Sequence, residues 1–533
     1  MLQDEKSKQP GVLPEQFDVE AVNRRDKQQP LYATRKKIHP RRASGSFRRF
    51  KWLMMVVTLG IYYLTPWIRW DRGEYAPDQA VLIDLANRRF YFFFIEIWPQ
   101  EFYYVAGMLV MAGVGLFLLT STVGRAWCGY SCPQTIWVDL FLVVERFFEG
   151  ERNARIKLDA SGWSIAKIYK RGAKHLVWLL IAVATGGAWV FYFADAPQLA
   201  GQLIRGEAAF VAYATIAILA FTTYVFGGLM REQVCTYMCP WPRIQAAMLD
   251  ENSLTVTYND WRGEPRSRHT KKMKKAGKPT GDCIDCNACV AVCPMGIDIR
   301  DGQQLECITC ALCIDACDEV MGKIGMDKGL ISYTTLAGYN QNMVLAGGKA
   351  NDYISEKTID PAKVRDSDGN LYAKFVTVNW RTILRPRTWL YMGIYSLIGI
   401  AMITILLLRD RLELNVLQDR NPVYVVLSDG SIRNGYEIKI LNMLPMPRKV
   451  ELKIEGLKDA SMKFAGGEKL AGLSTDLDVK PDQLLSTKLF IQVPATSLDS
   501  EVTQFKIIVS DIDEGGETSE YNASFKAPEG LKK

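Results

Sequence analysis

The chain has 533 residues, with 65 Lys and Arg against 58 Asp and Glu, and 48% hydrophobic residues. That length leaves room for several domains. Only three histidines are present, His39, His175 and His269, which argues against membrane haems with paired histidine ligands and against a histidine-rich copper site.

Residues 1–50 are polar and basic, with no sustained periodicity, and read as a disordered cytoplasmic N-terminus. Five apolar stretches follow that approach the roughly 20 residues needed to cross a bilayer. They run from Trp52 to Ile68, Tyr103 to Thr122, Leu176 to Ala194, Ala209 to Gly228 and Trp389 to Leu408. Tryptophans and tyrosines sit at several of their ends, as at membrane interfaces. The first stretch follows about fifty polar residues, so it reads as an anchor rather than a cleavable signal.

Lys and Arg set the orientation. Residues 1–51 hold thirteen and residues 123–175 hold nine, whereas residues 70–102 hold three and residues 195–208 only Arg205. By the positive-inside rule the N-terminus lies inside and the C-terminus outside. The basic run from Arg266 to Lys275 reads as a juxtamembrane segment on anionic lipid rather than a nucleic-acid site.

Residues 51–250 contain the first four spans and two matched cysteine pairs. The first is Gly124-Arg-Ala-Trp-Cys128-Gly-Tyr-Ser-Cys132-Pro133, and the second is Arg231-Glu-Gln-Val-Cys235-Thr-Tyr-Met-Cys239-Pro240. Each follows a span, so the membrane part reads as a two-fold repeat that could bring the pairs together. Proline favours the first helical turn. Cys132 and Cys239 are therefore expected at helix N-caps, where the dipole favours the thiolate. Three readings stay open for Cys128, Cys132, Cys235 and Cys239: a soft-metal site for Cu(I) or a third iron–sulfur cluster, a redox-active dithiol pair, or buried packing cysteines. His175 begins the third span and is the one histidine near the membrane.

Residues 251–387 carry the remaining eight cysteines in two ladders. Cys283, Cys286, Cys289 and Cys293-Pro294 form the first, and Cys307, Cys310, Cys313 and Cys317 the second. This is the ligand spacing of a two-cluster ferredoxin. The crossed pattern gives one [4Fe–4S] cluster to Cys283, Cys286, Cys289 and Cys317, and the other to Cys307, Cys310, Cys313 and Cys293. Paired zinc sites need two C-x-x-C pairs rather than a triplet with a distant fourth ligand. Asp318, not proline, follows Cys317.

Residues 388–409 form the fifth span. From 410 to 533, short runs rich in Val, Ile, Tyr and Phe alternate with turn signals such as Asp429-Gly430 and Asn434-Gly435. They predict a periplasmic immunoglobulin-like β-sandwich. Met443, Met446 and Met462 read as packing residues rather than copper ligands. The fold class is thus a five-span helical bundle, a cytoplasmic ferredoxin-like α+β module and a C-terminal all-β domain.

Both cysteine pairs, both ladders with Gly296-Ile-Asp-Ile-Arg-Asp-Gly302 between them, and Asp429-Gly-Ser-Ile-Arg-Asn-Gly435 in the tail together resemble the FixG/RdxA/CcoG family of bacterial inner-membrane proteins. The resemblance implies an accessory role in assembling a cbb-type cytochrome c oxidase, by reducing Cu(II) to Cu(I). It implies copper ions, oxidase subunits or their copper chaperones, and a cytoplasmic electron donor as partners. On this reading Cys128, Cys132, Cys235 and Cys239 are the catalytic and copper-binding candidates, fed by the two clusters. The competing readings are a quinol dehydrogenase-type polyferredoxin subunit and a non-catalytic assembly scaffold.

Overall fold

The computed structural model describes residues 37–528, apart from 270–272, 274–279, 350–363, 365–370, 372–374, 466–471, 513–515 and positions 445, 482 and 499. Residues 1–36 of the expected disordered start, and half of the basic run from Arg266 to Lys275, lie outside the described residues. The chain divides into two compact units. One comprises residues up to 66 together with 103–399, and the other comprises 67–102 with 400–533.

The first unit holds the helices. Among the described residues, four helical stretches are long and apolar enough to cross a membrane: Pro99–Val123, Ile165–Val190, Phe210–Met230 and Pro386–Leu407. We call their α-helical portions α2 (Tyr103–Val123), α5 (Ile165–Val190) and α7 (Phe210–Thr223). The first expected span forms a helix too, α1 (Ser46–Leu64), but Arg48, Arg49 and Lys51 lie in its first two turns. These charges shorten its apolar length, so α1 does not meet the criterion that the other four meet. The helix α5 begins eleven residues before the apolar run predicted from Leu176. Ser164 caps it, accepting from the Lys167 amide at 3.2 Å, and the helical ladder continues through the basic residues up to the apolar half.

Between these helices lie α3 (Pro133–Glu149), α4 (Arg152–Ala160), α6 (Ala196–Arg205) and α8 (Trp241–Met248). The ladder region supplies α9 (Ala288–Val292), α10 (Leu312–Ile324) and α11 (Leu336–Leu345). Pro386–Leu407 is α12. Its part in this unit packs antiparallel to α2. Arg385 donates to the Ser121 carbonyl, Phe117 meets Tyr391 with ring centroids 6.2 Å apart, and Met111 lies against Gly399.

In the second unit, residues 67–102 contain a three-stranded antiparallel meander, β1 (Val81–Asp84), β2 (Arg89–Phe92) and β3 (Ile95–Ile97). Sequence reading treated this stretch only as a loop. Arg409 ties it to the tail, donating to Glu101 at 2.9 Å and to the Glu96 carbonyl at 2.8 Å.

The tail forms two antiparallel sheets. Five strands make one: β6 (Leu412–Gln418), β7 (Val425–Val426), β8 (Ile432–Asn442), β10 (Ser461–Phe464) and β12 (Leu484–Val493). The other contains β9 (Arg448–Glu455), β11 (Ser474–Val479), β13 (Val502–Asp511) and β14 (Thr518–Lys526). Strict alternation along β6 and β9 puts Leu412, Leu414, Val416, Val450, Leu452 and Ile454 into one shared core. Met462 is fully buried there, consistent with packing. The Tyr436 hydroxyl crosses between the sheets to the Ser524 carbonyl at 2.8 Å.

Ile438 lies at the centre of this core with no exposed surface. Ile438→Ala is expected to cost about 2–5 kcal/mol of the tail's stability. Denaturant unfolding of the full chain should show a lowered tail transition with the transition of the cysteine-bearing unit unchanged.

Candidate redox site

The first ladder enters α9 through Asn287, and the second enters α10 through Ala311. Both residues have positive φ, 59° and 58°. Each directly follows the second cysteine of its ladder, and the residues just before those cysteines, Asp285 and Thr309, also have positive φ, both 51°, so the two half-sites share one left-handed pattern. The small Ala288, Ala291, Ala311 and Ala316 are all buried, which leaves backbone close to the thiols.

The thiols group in the crossed pattern. Burial raises the Cys317 thiol first, and the nearby charges of Cys283 and Cys286 raise it further. Burial likewise pushes Cys293 up to about 12, with Cys310 and then Cys307 adding to it. Cys313 is raised by burial and by Cys310, Cys307 and Cys293. Eight buried or half-buried thiols in two crossed groups suit two [4Fe–4S] clusters, whose iron replaces the thiol protons.

Arg300 stands beside the first group. Its guanidinium binds Asp298 at 2.6 Å, Asp285 at 2.6 Å and Asn287 at 2.7 Å. Burial works against its charge, but Asp298 and the Cys289 and Cys283 thiols outweigh burial and keep it protonated.

The two C-x-x-x-C-P pairs converge. Burial raises Cys128 to about 12, and Cys132, Cys235 and Cys239 each raise it further. Burial also raises Cys235 to about 12, helped by Cys132 and Cys239. Cys128 and Cys235 lie in short π-helical turns, Trp127–Ser131 and Val234–Met238. Cys132 is the N-cap of α3, with Pro133 at the first helical position; its side chain makes no cap hydrogen bond, and the nearby Thr135 and Gln134 amides only partly favour its thiolate. For α8 the cap is Pro240, one residue after Cys239. The expected thiolate stabilisation at Cys132 is overturned: desolvation outweighs the amides, and its pKa rises. Cys128, Cys132 and Cys235 are therefore held as thiols. Among the described residues no group of three metal-binding side chains is set to hold a single ion, and this is as true of the ladders as of the pairs.

Two contacts of α3 bring the second pair to the first. Glu145, fully buried, takes Arg231 at 2.5 Å, and Arg155 lies 3.7 Å away. Burial pushes the Glu145 carboxyl up, but Arg231 and Arg155 more than offset it and hold it ionised. Gln134 donates to the Phe226 and Arg231 carbonyls at 2.8 and 3.1 Å. The second pair's turn is thus clamped to the helix that starts at the first pair's proline.

A third contact joins the first pair to the second ladder. A Cβ on Gly129 would lie 2.7 Å from the Ile308 carbonyl and 3.1 Å from the Cys310 Cα. Only glycine lets these backbones approach so closely. Tyr130 donates to the Cys310 carbonyl at 3.1 Å, Arg125 donates to the Leu305 carbonyl and, at 3.1 Å, to the Cys307 carbonyl. The Cys128 thiol donates to Gln245 at 2.9 Å, and Gln245 is fully buried. At the other side of the module, Asp315 caps α1, accepting from the Arg48 amide at 2.7 Å and the Phe47 amide at 3.3 Å.

Sequence reading missed Arg125, Gln245, Arg300 and Asp315. Arg125 and Arg231 precede the two pairs at nearly matched positions, and that repetition was the available signal. His175 takes no part in the thiol site: its Nδ1 pairs with the Tyr224 hydroxyl at 2.9 Å, and it packs edge-on against Trp178. His39 lies 3.2 Å from Asp159 and is held neutral, lowered to about 4 by burial and then by Lys37.

The chain is 63% identical to "Nitrogen fixation protein FixG" of Rhizobium meliloti, over 96% of this chain and 97% of that protein. The chain belongs to the FixG family. "Protein RdxA" and "Protein RdxB" of Cereibacter sphaeroides are 49% and 50% identical over 93% and 91% of this chain, and 98% and 95% of their own lengths. A "4Fe-4S dicluster domain" model matches residues 230–336, which hold both ladders and the second pair. A "4Fe-4S binding domain" model matches 105–149, where Cys128 and Cys132 are the cysteines. The model "IG-like fold at C-terminal of FixG, putative oxidoreductase" matches 402–528. A solved FixG-related protein from Vibrio parahaemolyticus matches 22% of this chain and 97% of its own at 22% identity, with a TM-score of 0.19. In this FixG-family chain the four candidate spans and the two-cluster ligand set make a membrane iron–sulfur electron-transfer protein.

Removing the Arg300 charge should lower the potential of the adjacent cluster, because the reduced form carries one more negative charge. Arg300→Gln is expected to shift one of two midpoints down by about 60 mV for each 1.4 kcal/mol of lost interaction. Arg300→Lys should restore most of the shift in an EPR-monitored redox titration.

Proposed function

We propose that this chain reduces Cu(II) to Cu(I) at the Cys128, Cys132, Cys235 and Cys239 thiols, in support of assembly of a cbb-type cytochrome c oxidase. The observation that carries the reading is the contact of the Cys128–Cys132 turn with the Cys310 backbone, made at Gly129. It sets a soft-ligand site directly against a ladder. Bound at the ladders, [4Fe–4S] clusters supply one-electron chemistry, and Cu(II) reduction takes one electron. Thiolates favour the Cu(I) product. The raised pKa of Cys128 and Cys235 gives the site a further property: copper must displace protons to bind, so capture is weaker at low pH.

The membrane topology is part of the same reading. The ladders, both pairs and the basic segments belong on the cytoplasmic face of the bacterial inner membrane, and the sandwich on the periplasmic face. Support comes from the antiparallel pairing of α2 and α12, which puts the end of α2 and the start of α12 at one level beside the ladders. The tail would then meet oxidase subunits or a copper chaperone. Within the thiol site, the match of an iron–sulfur model to 105–149 favours a second reading, in which the four cysteines hold a third cluster.

Replacing Cys128, Cys132, Cys235 and Cys239 with serine should cut Cu(I) formation, followed with a Cu(I)-specific chelator, at least tenfold. Iron bound by the ladders should stay at about eight per chain. Full retained copper reduction would refute the assignment. About twelve irons in the unaltered protein, falling to about eight in the variant, would favour the third cluster.

A further inference from the structure

A small cavity lies between the start of α1, the middle of α3 and the second ladder, and the reading above gives it no part. It has a volume of about 30 Å³, room for about two water molecules or two oxygens of an anion. Ala43, Val138, Leu142, Met295 and Leu312 supply apolar wall. The rest is strongly basic. Arg41, Arg48, Lys51, Arg146 and Arg231 line it against two carboxylates, Asp139 and Glu232.

Two of these cations are left over. Arg231 is spent on Glu145, and Arg48 donates to Asp139 at 2.8 Å. Lys51 is 4% exposed, yet among the described residues its ammonium has no ion pair and no hydrogen bond. The half-buried Arg146 guanidinium has no ion pair there either. Burial lowers Arg146 to about 10, and the neighbouring charges of Arg48 and Arg155 push the same way. Burial pushes the Asp139 carboxyl up, but Lys51 and then Arg48 more than offset it, with Arg146 adding to them. One carboxylate thus answers three cations. Buried charge without a counter-ion is costly, so the cavity calls for an anion.

Its place on α1 points to where the anion comes from. Just past Lys51, Leu53, Val56 and Val57 begin an exposed apolar stripe that continues to Ile61 and Leu64. A phospholipid lying along that stripe brings its phosphate to the level of Lys51.

We infer that this cavity binds a phosphate group, with Lys51 and Arg146 as its counter-ions. Two phosphate oxygens fill the space, and the remainder of the group stays at the opening. Guanidinium and ammonium groups are the usual partners of phosphate oxygens. A lipid head group and free phosphate offer the same chemistry. The site involves neither the thiols' ligand role nor copper, so it stands or fails separately from the proposed function.

The test uses the full-length protein, purified anaerobically in detergent, in phosphate-free buffer. Radiolabelled inorganic phosphate in equilibrium dialysis is the first probe. Nanodiscs of phosphatidylcholine, with and without phosphatidylglycerol, are the second, followed by melting temperature. Lys51→Met and Arg146→Gln should each weaken saturable phosphate binding at least tenfold, with iron and labile sulfide unchanged, and Arg146→Lys should retain most of it. Where one variant loses iron, the other decides. Variant-sensitive binding of inorganic phosphate would support the site with free phosphate as its ligand. A melting-temperature gain from phosphatidylglycerol that both variants lack would support it with a lipid head group. Neither response in the unaltered protein, or equal responses in the variants, would overturn the inference.

Discussion

The constraint on which the rest depends is the approach of the Cys128–Cys132 turn to the second ladder. The contact is backbone against backbone at Gly129, closer than a Cβ would permit. A side chain there would drive the turn away from Cys310, and with it α3, which begins at Pro133. The helix α3 in turn carries Glu145, whose buried pairing with Arg231 holds the second cysteine pair. Breaking a buried pair of this kind leaves an uncompensated charge, at about 3–5 kcal/mol. One glycine and one ion pair thus join both cysteine pairs to the second ladder.

The same arrangement explains why the thiol pairs are buried without being activated. A helix N-terminus stabilises a thiolate on a surface, where little is lost by ionising. At Cys132 the nearby amides of Gln134 and Thr135 favour the thiolate, yet desolvation is larger. Cys128, Cys132 and Cys235 are therefore held as thiols, and a bound cation would supply the stabilisation that their thiolates lack.

Much of this was legible in the sequence, for identifiable reasons. The ladders carry their chemistry in their spacing, since three corners of a cubane need two-residue spacers. The tail's alternating residues carry their sheet faces, so Leu412, Leu414 and Val416 could be assigned inward without coordinates. Apolar length located α2, α7 and α12, but it misplaced the start of α5, where hydrogen bonding extends the helix through Lys167 and Lys174. The meander at Val81–Ile97 has strands of three or four residues, too short for periodicity to register. Arg125 and Gln245 were hidden because they act across more than a hundred residues of chain, on carbonyls and a thiol that only the folded structure brings near, and Arg300 because its place beside Cys283 and Cys289 is set by the fold.

The central claim is that the two C-x-x-x-C-P pairs form one site. Metal analysis of anaerobically purified Cys132→Ser and Cys239→Ser tests it most directly, with the ladder iron as internal standard. The account predicts that either substitution alone removes the whole metal complement beyond the eight ladder irons expected for two cubanes. Loss of half the complement in each variant, restored to a full loss only when both are combined, would show two independent pairs and contradict it.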